Sequence, residues 1–144
     1  MLDADEATHD ESLGWYFDFT SSGNDGEKVL SAPITIANTV FFTTYLPDAI
    51  SSVDQCSAQI GGGNAYNFGI LNAGATIDWD LDNPLDPLLD RTKSLGGGIP
   101  SDVVPVFTKE GIVGIVGIEG GAAQLGTLSG LPRFRTYWYE ESGT

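Results

Sequence analysis

Four carboxylates crowd into residues 78–86, which read Asp-Trp-Asp-Leu-Asp-Asn-Pro-Leu-Asp. Ionised side chains this close cannot share a packed core, and they repel one another unless a counter-ion stands between them. The stretch is therefore expected to be a loop. Asp78, Asp80, Asp82 and Asp86 occupy positions 1, 3, 5 and 9 of the window. In a cation-wrapping loop of EF-hand type, alternate side chains turn inward and the main-chain carbonyl of position 7 completes the shell. Position 7 is Pro84, which keeps its carbonyl and lacks only an N–H. Asn83 stands at the tight turn, where glycine is preferred and Asn is the next most tolerant residue. The expected metal ligands are thus Asp78, Asp80, Asp82, Pro84 and Asp86. The expected ion is Ca²⁺, because an all-oxygen, multi-carboxylate loop suits calcium better than the stricter octahedron of magnesium. The loop is not a standard EF-hand: Leu89 stands where a bidentate Glu would be, and the flanks do not read as helices. A solvated acidic loop without an ion is the plain alternative.

The rest of the chain reads as short strands and turns. Residues 1–13 form a polar, acidic lead holding the single histidine, His9, which beside Asp10 and Glu11 reads as solvated rather than as a ligand. Strands are expected over 14–19, over 27–31, and over 33–45 as two strands joined by a tight turn at Ala37-Asn38. A long loop spans 46–63, and a further strand 64–71 ends in Asn72-Ala73-Gly74. Residues 108–111 form a turn, and 112–118 an apolar strand whose Gly114 and Gly117 suggest close packing of another backbone. Glu119-Gly120-Gly121 closes that strand. The last strand is 133–139, with Phe134, Thr136 and Trp138 on one face.

The layout repeats. A hairpin over 33–44 is matched by one over 103–117, and residues 66–74 parallel 135–143. Each unit holds three or four strands, the content of one propeller blade. The expected fold is all-β, with antiparallel, β-propeller-like blades forming a partial propeller or fragment and an inserted acidic metal-binding loop. After the lead, residues 14–144 form one propeller-type region, with blade-like units near 27–75 and 97–144 and the Asp-rich loop, 76–96, at their junction. Two or three blades cannot close a ring, so open edges would be an aggregation liability.

Composition narrows the partners. The net charge is −14 with six basic residues, which makes nucleic acid and anionic membrane unfavourable and cations natural. No apolar run is long enough to span a bilayer, and no signal peptide is visible. The single cysteine, Cys56, cannot pair within the chain. No nucleophile–histidine set can be assembled, so no enzyme is expected.

Gly14-Trp15-Tyr16-Phe17-Asp18, residues 26–33 (Gly-Glu-Lys-Val-Leu-Ser-Ala-Pro) and residues 40–47 (Val-Phe-Phe-Thr-Thr-Tyr-Leu-Pro) resemble the C-terminal propeller region of the PilY/PilC family. Cys56, the strand over 65–72, Ile99-Pro100-Ser101 and Arg135-Thr136-Tyr137-Trp138 continue the resemblance. It covers nearly everything after residue 13 but only the C-terminal part of the longer family proteins. Such proteins are type IV pilus biogenesis factors and tip adhesins. The family's calcium loop, Asp-x-Asp/Asn-x-Asp-x-x-x-Asp, is matched at Asp78, Asp80, Asp82 and Asp86, with Asn83-Pro84 departing from its glycine-bearing turn. The resemblance implies a calcium-binding segment of an exported protein at the bacterial cell surface, pilus tip or outer membrane. Its implied partners are pilins, minor pilins and the rest of its own polypeptide, and its implied roles are pilus biogenesis, surface attachment and twitching motility. The family's adhesive N-terminal region has no counterpart here, so host binding does not carry over. The rival is a structural or carbohydrate-binding surface module using Trp15, Tyr16, Trp138 and Tyr139, residues that more often serve as strand core.

Overall fold

The computed structural model describes residues 2–3, 14–19, 26–47, 60–79 and 84–128. They form strands β1 (Leu2–Asp3), β2 (Trp15–Tyr16), β3 (Lys28–Val29), β4 (Ile34–Ile36), β5 (Thr39–Leu46), β6 (Gly62–Gly69), β7 (Thr92–Gly97), β8 (Val104–Phe107), β9 (Ile112–Ile118) and β10 (Gly121–Leu128). The only helical element among them is one 3₁₀ turn, Leu89–Arg91. The protein is all-β, and its two larger sheets are antiparallel and open.

In the first sheet β3 and β4 lie end to end along β5, followed by β6 and β7, which makes a four-layered meander. The β4–β5 hairpin turns at Ala37-Asn38 with both residues left-handed, at φ 48° and 67°. That is the two-residue geometry whose twist matches flanking strands. Alternation along β5 and β6 then sorts the side chains. Phe41, Ala65 and Asn67 face one side, and Phe42, Tyr66 and Phe68 the other.

The second sheet is the meander β8-β9-β10. It stacks on the first through a shared core of Phe41, Ala65, Leu95, Val103, Val116 and Leu125. The opposite face of the first sheet is covered by Trp15, Phe17 and Phe19 packed on Tyr66 and Phe68. Trp15 is thus half-buried core, with its indole N–H donating to the Ile70 carbonyl at 2.9 Å. At one end of this face Glu27 is buried, and its Oε1 accepts from Asn64 at 3.0 Å, from Tyr66 at 2.9 Å and from Thr44, tying β5 and β6 to the residue before β3.

Several expectations change. Only Trp15–Tyr16 of residues 14–19 is strand, and it pairs in parallel with Leu2–Asp3 from the acidic lead. Residues 92–97, read as part of the Asp-rich stretch, form β7 and pair with β6. The acidic loop therefore lies between the third and fourth layers of one sheet, not between the two units. Gly121 begins a strand instead of closing one. Gly114 and Gly117 are crowded by side chains: a Cβ at Gly114 would lie 3.3 Å from Leu125 and Val103, and one at Gly117 would lie 3.2 Å from the Ser101 hydroxyl. Ser101 exchanges hydrogen bonds with Gly117, and its carbonyl accepts from Thr43, so the connector between the sheets is pinned to both. The third strand of the second unit is β10, whereas the sequence layout puts that strand at 135–143. Those residues, the strand over 133–139, His9 and Cys56 lie outside the described residues.

Candidate cation loop and adjoining cleft

Asn67 holds the base of the acidic loop. It sits on the inward face of β6, fully buried, where the neighbouring inward residues Ala65 and Gly69 leave room for an amide. Its Oδ1 accepts from the Thr76 N–H at 2.7 Å, the Ile77 N–H at 3.1 Å and the Thr76 hydroxyl at 3.2 Å. Its Nδ2 donates to the Asp90 carbonyl at 2.6 Å. One side chain therefore grips the loop where it leaves the sheet and where it returns. The Ala75 N–H donates to the Pro87 carbonyl at 2.9 Å, which closes the loop across its neck.

The returning stem is a capped turn. Asp86 Oδ1 accepts from the Leu88 and Leu89 N–H groups at 2.8 and 3.1 Å. Asp90 Oδ2 accepts from the Asp86 N–H at 2.7 Å, and the Arg91 guanidinium donates to the Pro87 carbonyl at 3.1 Å. The Leu88 and Leu89 N–H groups hold the Asp86 carboxyl below its ordinary pKa of 3.8; desolvation opposes them more weakly, and Arg91 adds the smallest attraction. Asp86 is therefore first a capping residue. Its Oδ1 is filled by two donors, so only Oδ2 is open to a cation.

The leaving stem is bound to the second sheet. The Trp79 indole N–H donates to the Leu125 carbonyl at 3.1 Å. Beneath it β10 carries a bulge between Gln124 and Thr127, with Gly126 at φ 85°. A Cβ there would come within 2.8 Å of Ile77, so the bulge makes the seat on which the stem rests.

Asp78 and Asp86 thus stand on opposite stems of a loop whose neck is closed. Asp80 and Asp82 lie outside the described residues, and among the described residues no group of three or more His, Cys, Asp or Glu converges as a metal cluster. Pro84 is described and exposed. The donors Asp78, Asp86 and the Pro84 carbonyl are all oxygen, the chemistry a hard cation takes.

Beside the loop a cleft of about 640 Å³ is lined by Ile77, Asp78, Trp79 and Leu85 of the loop stems, by Lys93 of β7 and by Gln124 and Thr127 of β10. Of these, Asp78 alone is a site residue expected from the sequence. Lys93 and Gln124 carry a legible signal only once β7 and β10 are placed. Among the described residues no helix is long and apolar enough to cross a membrane. No protein-family model, curated protein or solved structure matches the chain.

Proposed function

We propose that this chain is a calcium-binding, blade-like β segment of a PilY-type pilus protein, exported to the bacterial cell surface and active in pilus biogenesis, attachment and twitching. The pilus part rests on the sequence resemblance. The calcium part is supported by one observation above the rest: the closed neck at Ala75 and Pro87 with Asn67 beneath it. A loop so clamped brings the ends of the acidic stretch together, and without a cation its carboxylates repel. In this reading Asp78, Asp80, Asp82, the Pro84 carbonyl and Asp86 hold Ca²⁺, which neutralises the loop and stiffens it. Two stacked antiparallel meanders, one covered on both faces, also suit neighbouring propeller blades. Pilins or minor pilins are then the partners the stiffened loop helps to engage. The reading assigns no catalysis.

A melt of the full chain in calcium and in chelator tests the ion. At a hundredfold excess over Kd, binding adds about 2.7 kcal/mol, which raises the melting temperature by roughly 9 °C in a chain of this size. Asp80→Ala should remove the shift. A cooperative melt indifferent to chelator would refute calcium binding. Loss of piliation on deleting the loop from the whole gene product tests the pilus role.

A further inference from the structure

We propose that the cleft formed by the loop stems, β7 and β10 is a binding site for a neutral saccharide of one or two rings, which shares Asp78 with the calcium reading but does not rest on it. The cleft, at about 640 Å³, falls within the usual size of small-ligand sites, roughly 300–1,000 Å³. Three features show that its walls are arranged rather than incidental.

The first is the bulge. Residues three apart on a regular strand point to opposite faces. The register shift between Gln124 and Thr127 adds a residue, and both side chains line the cleft. The second is Lys93. It lies opposite Ala65, in the row of β7 that faces the apolar core, yet its side chain lines the opening. No ion pair among the described residues occupies it, and core packing alone gives no reason for an ammonium there. The third is the opposite wall. Trp79 is half-buried and fixed by its bond to the Leu125 carbonyl, and Leu85 leaves 43% of its surface exposed beside it.

These walls select a class of ligand. The loop side brings an indole, two aliphatic side chains and the Asp78 carboxylate, which accepts from hydroxyls. The other offers an ammonium, an amide able to donate and accept, and a hydroxyl. A purely apolar ligand would strip water from Lys93 and Gln124 without replacing its hydrogen bonds. A phosphate or polyanion would meet the Asp78 carboxylate and, among the described lining residues, one cation, in a chain of net charge −14. A sugar ring has an apolar C–H face and a rim of hydroxyls that donate and accept, which matches both walls at once.

The full chain should be titrated with maltose, cellobiose, lactose and chitobiose, observed by saturation-transfer NMR and calorimetry, in calcium and in chelator. The expected result is a Kd on the order of 1 mM for at least one of them, measurable in chelator as well as in calcium. Gln124→Ala and Lys93→Ala should each weaken it about tenfold; neither side chain has a described hydrogen bond, so both variants should fold. No transfer from any of the four would overturn the site. So would binding that survives both variants unchanged. Loss of calcium binding with saccharide binding intact would sink the calcium reading alone.

Discussion

Asn67 is the residue on which the loop depends most. Truncating it to Ala leaves the buried Ile77 N–H and Asp90 carbonyl, and the part-buried Thr76 N–H, without their partner. Each such group costs about 1–3 kcal/mol, so Asn67→Ala should lower stability by about 4 kcal/mol in a urea titration. A loss below about 1 kcal/mol would mean that the stems are held by something else. Asp86 makes a different prediction, one of pH. Its folded pKa lies below the ordinary 3.8, so its stabilising contribution is present above that value and disappears as the pH falls through the lower, folded midpoint. Asp86→Ala should therefore be less stable than the parent at pH 7, and the two should converge below pH 3.8. Carboxyl NMR should place the Asp86 midpoint under 3.8; a midpoint above it would show that the two N–H bonds do not form in solution.

At the scale of elements, β10 links the loop to the rest of the fold. Gly126 combines a left-handed backbone with a Cβ position 2.8 Å from Ile77. Gly126→Ala should cost about 1–3 kcal/mol and displace the Trp79 stem, seen as a shift of the Trp79 indole N–H resonance. The same strand shows where sequence reading stops. The β4–β5 hairpin is legible, because β-branched and aromatic residues flank Ala37-Asn38, and Ile112–Ile118 is legible as an apolar run. Thr92–Gly97 and Gly121–Leu128 are rich in Gly, Ala and Ser or Gln, with little intrinsic strand preference. They are strands because β6 and β9 offer them edges, and that information lies some thirty residues away for β7. The acidic loop was legible as a loop, since its charges allow nothing else. Its anchor was not, because a single Asn within a strand gives no local sign of what it will grip. The open edges expected from the sequence are themselves blunted. β7 and β10 carry register shifts, and Pro105 stands in β8, an edge strand among the described residues, where a missing N–H hinders pairing with another chain.

At the scale of the molecule, two opposed tendencies meet. Twenty acidic residues against six basic ones push the chain apart, and the core that resists them lies between two sheets, neither of which is closed. Val116 and Leu125, both fully buried, come from the second sheet and pack with Phe41 and Ala65 of the first. Neither sheet keeps that face dry alone, so the sheets should unfold together, with far-UV and near-UV signals following one curve. Leu125→Ala leaves a cavity at the centre of this contact and also disturbs the strand that carries the Trp79 bond. It should cost about 3 kcal/mol while keeping a single transition. Two separated transitions, in the parent or in the variant, would mean that each meander is stable by itself. The stacked faces would then be a docking between independent units and not one core.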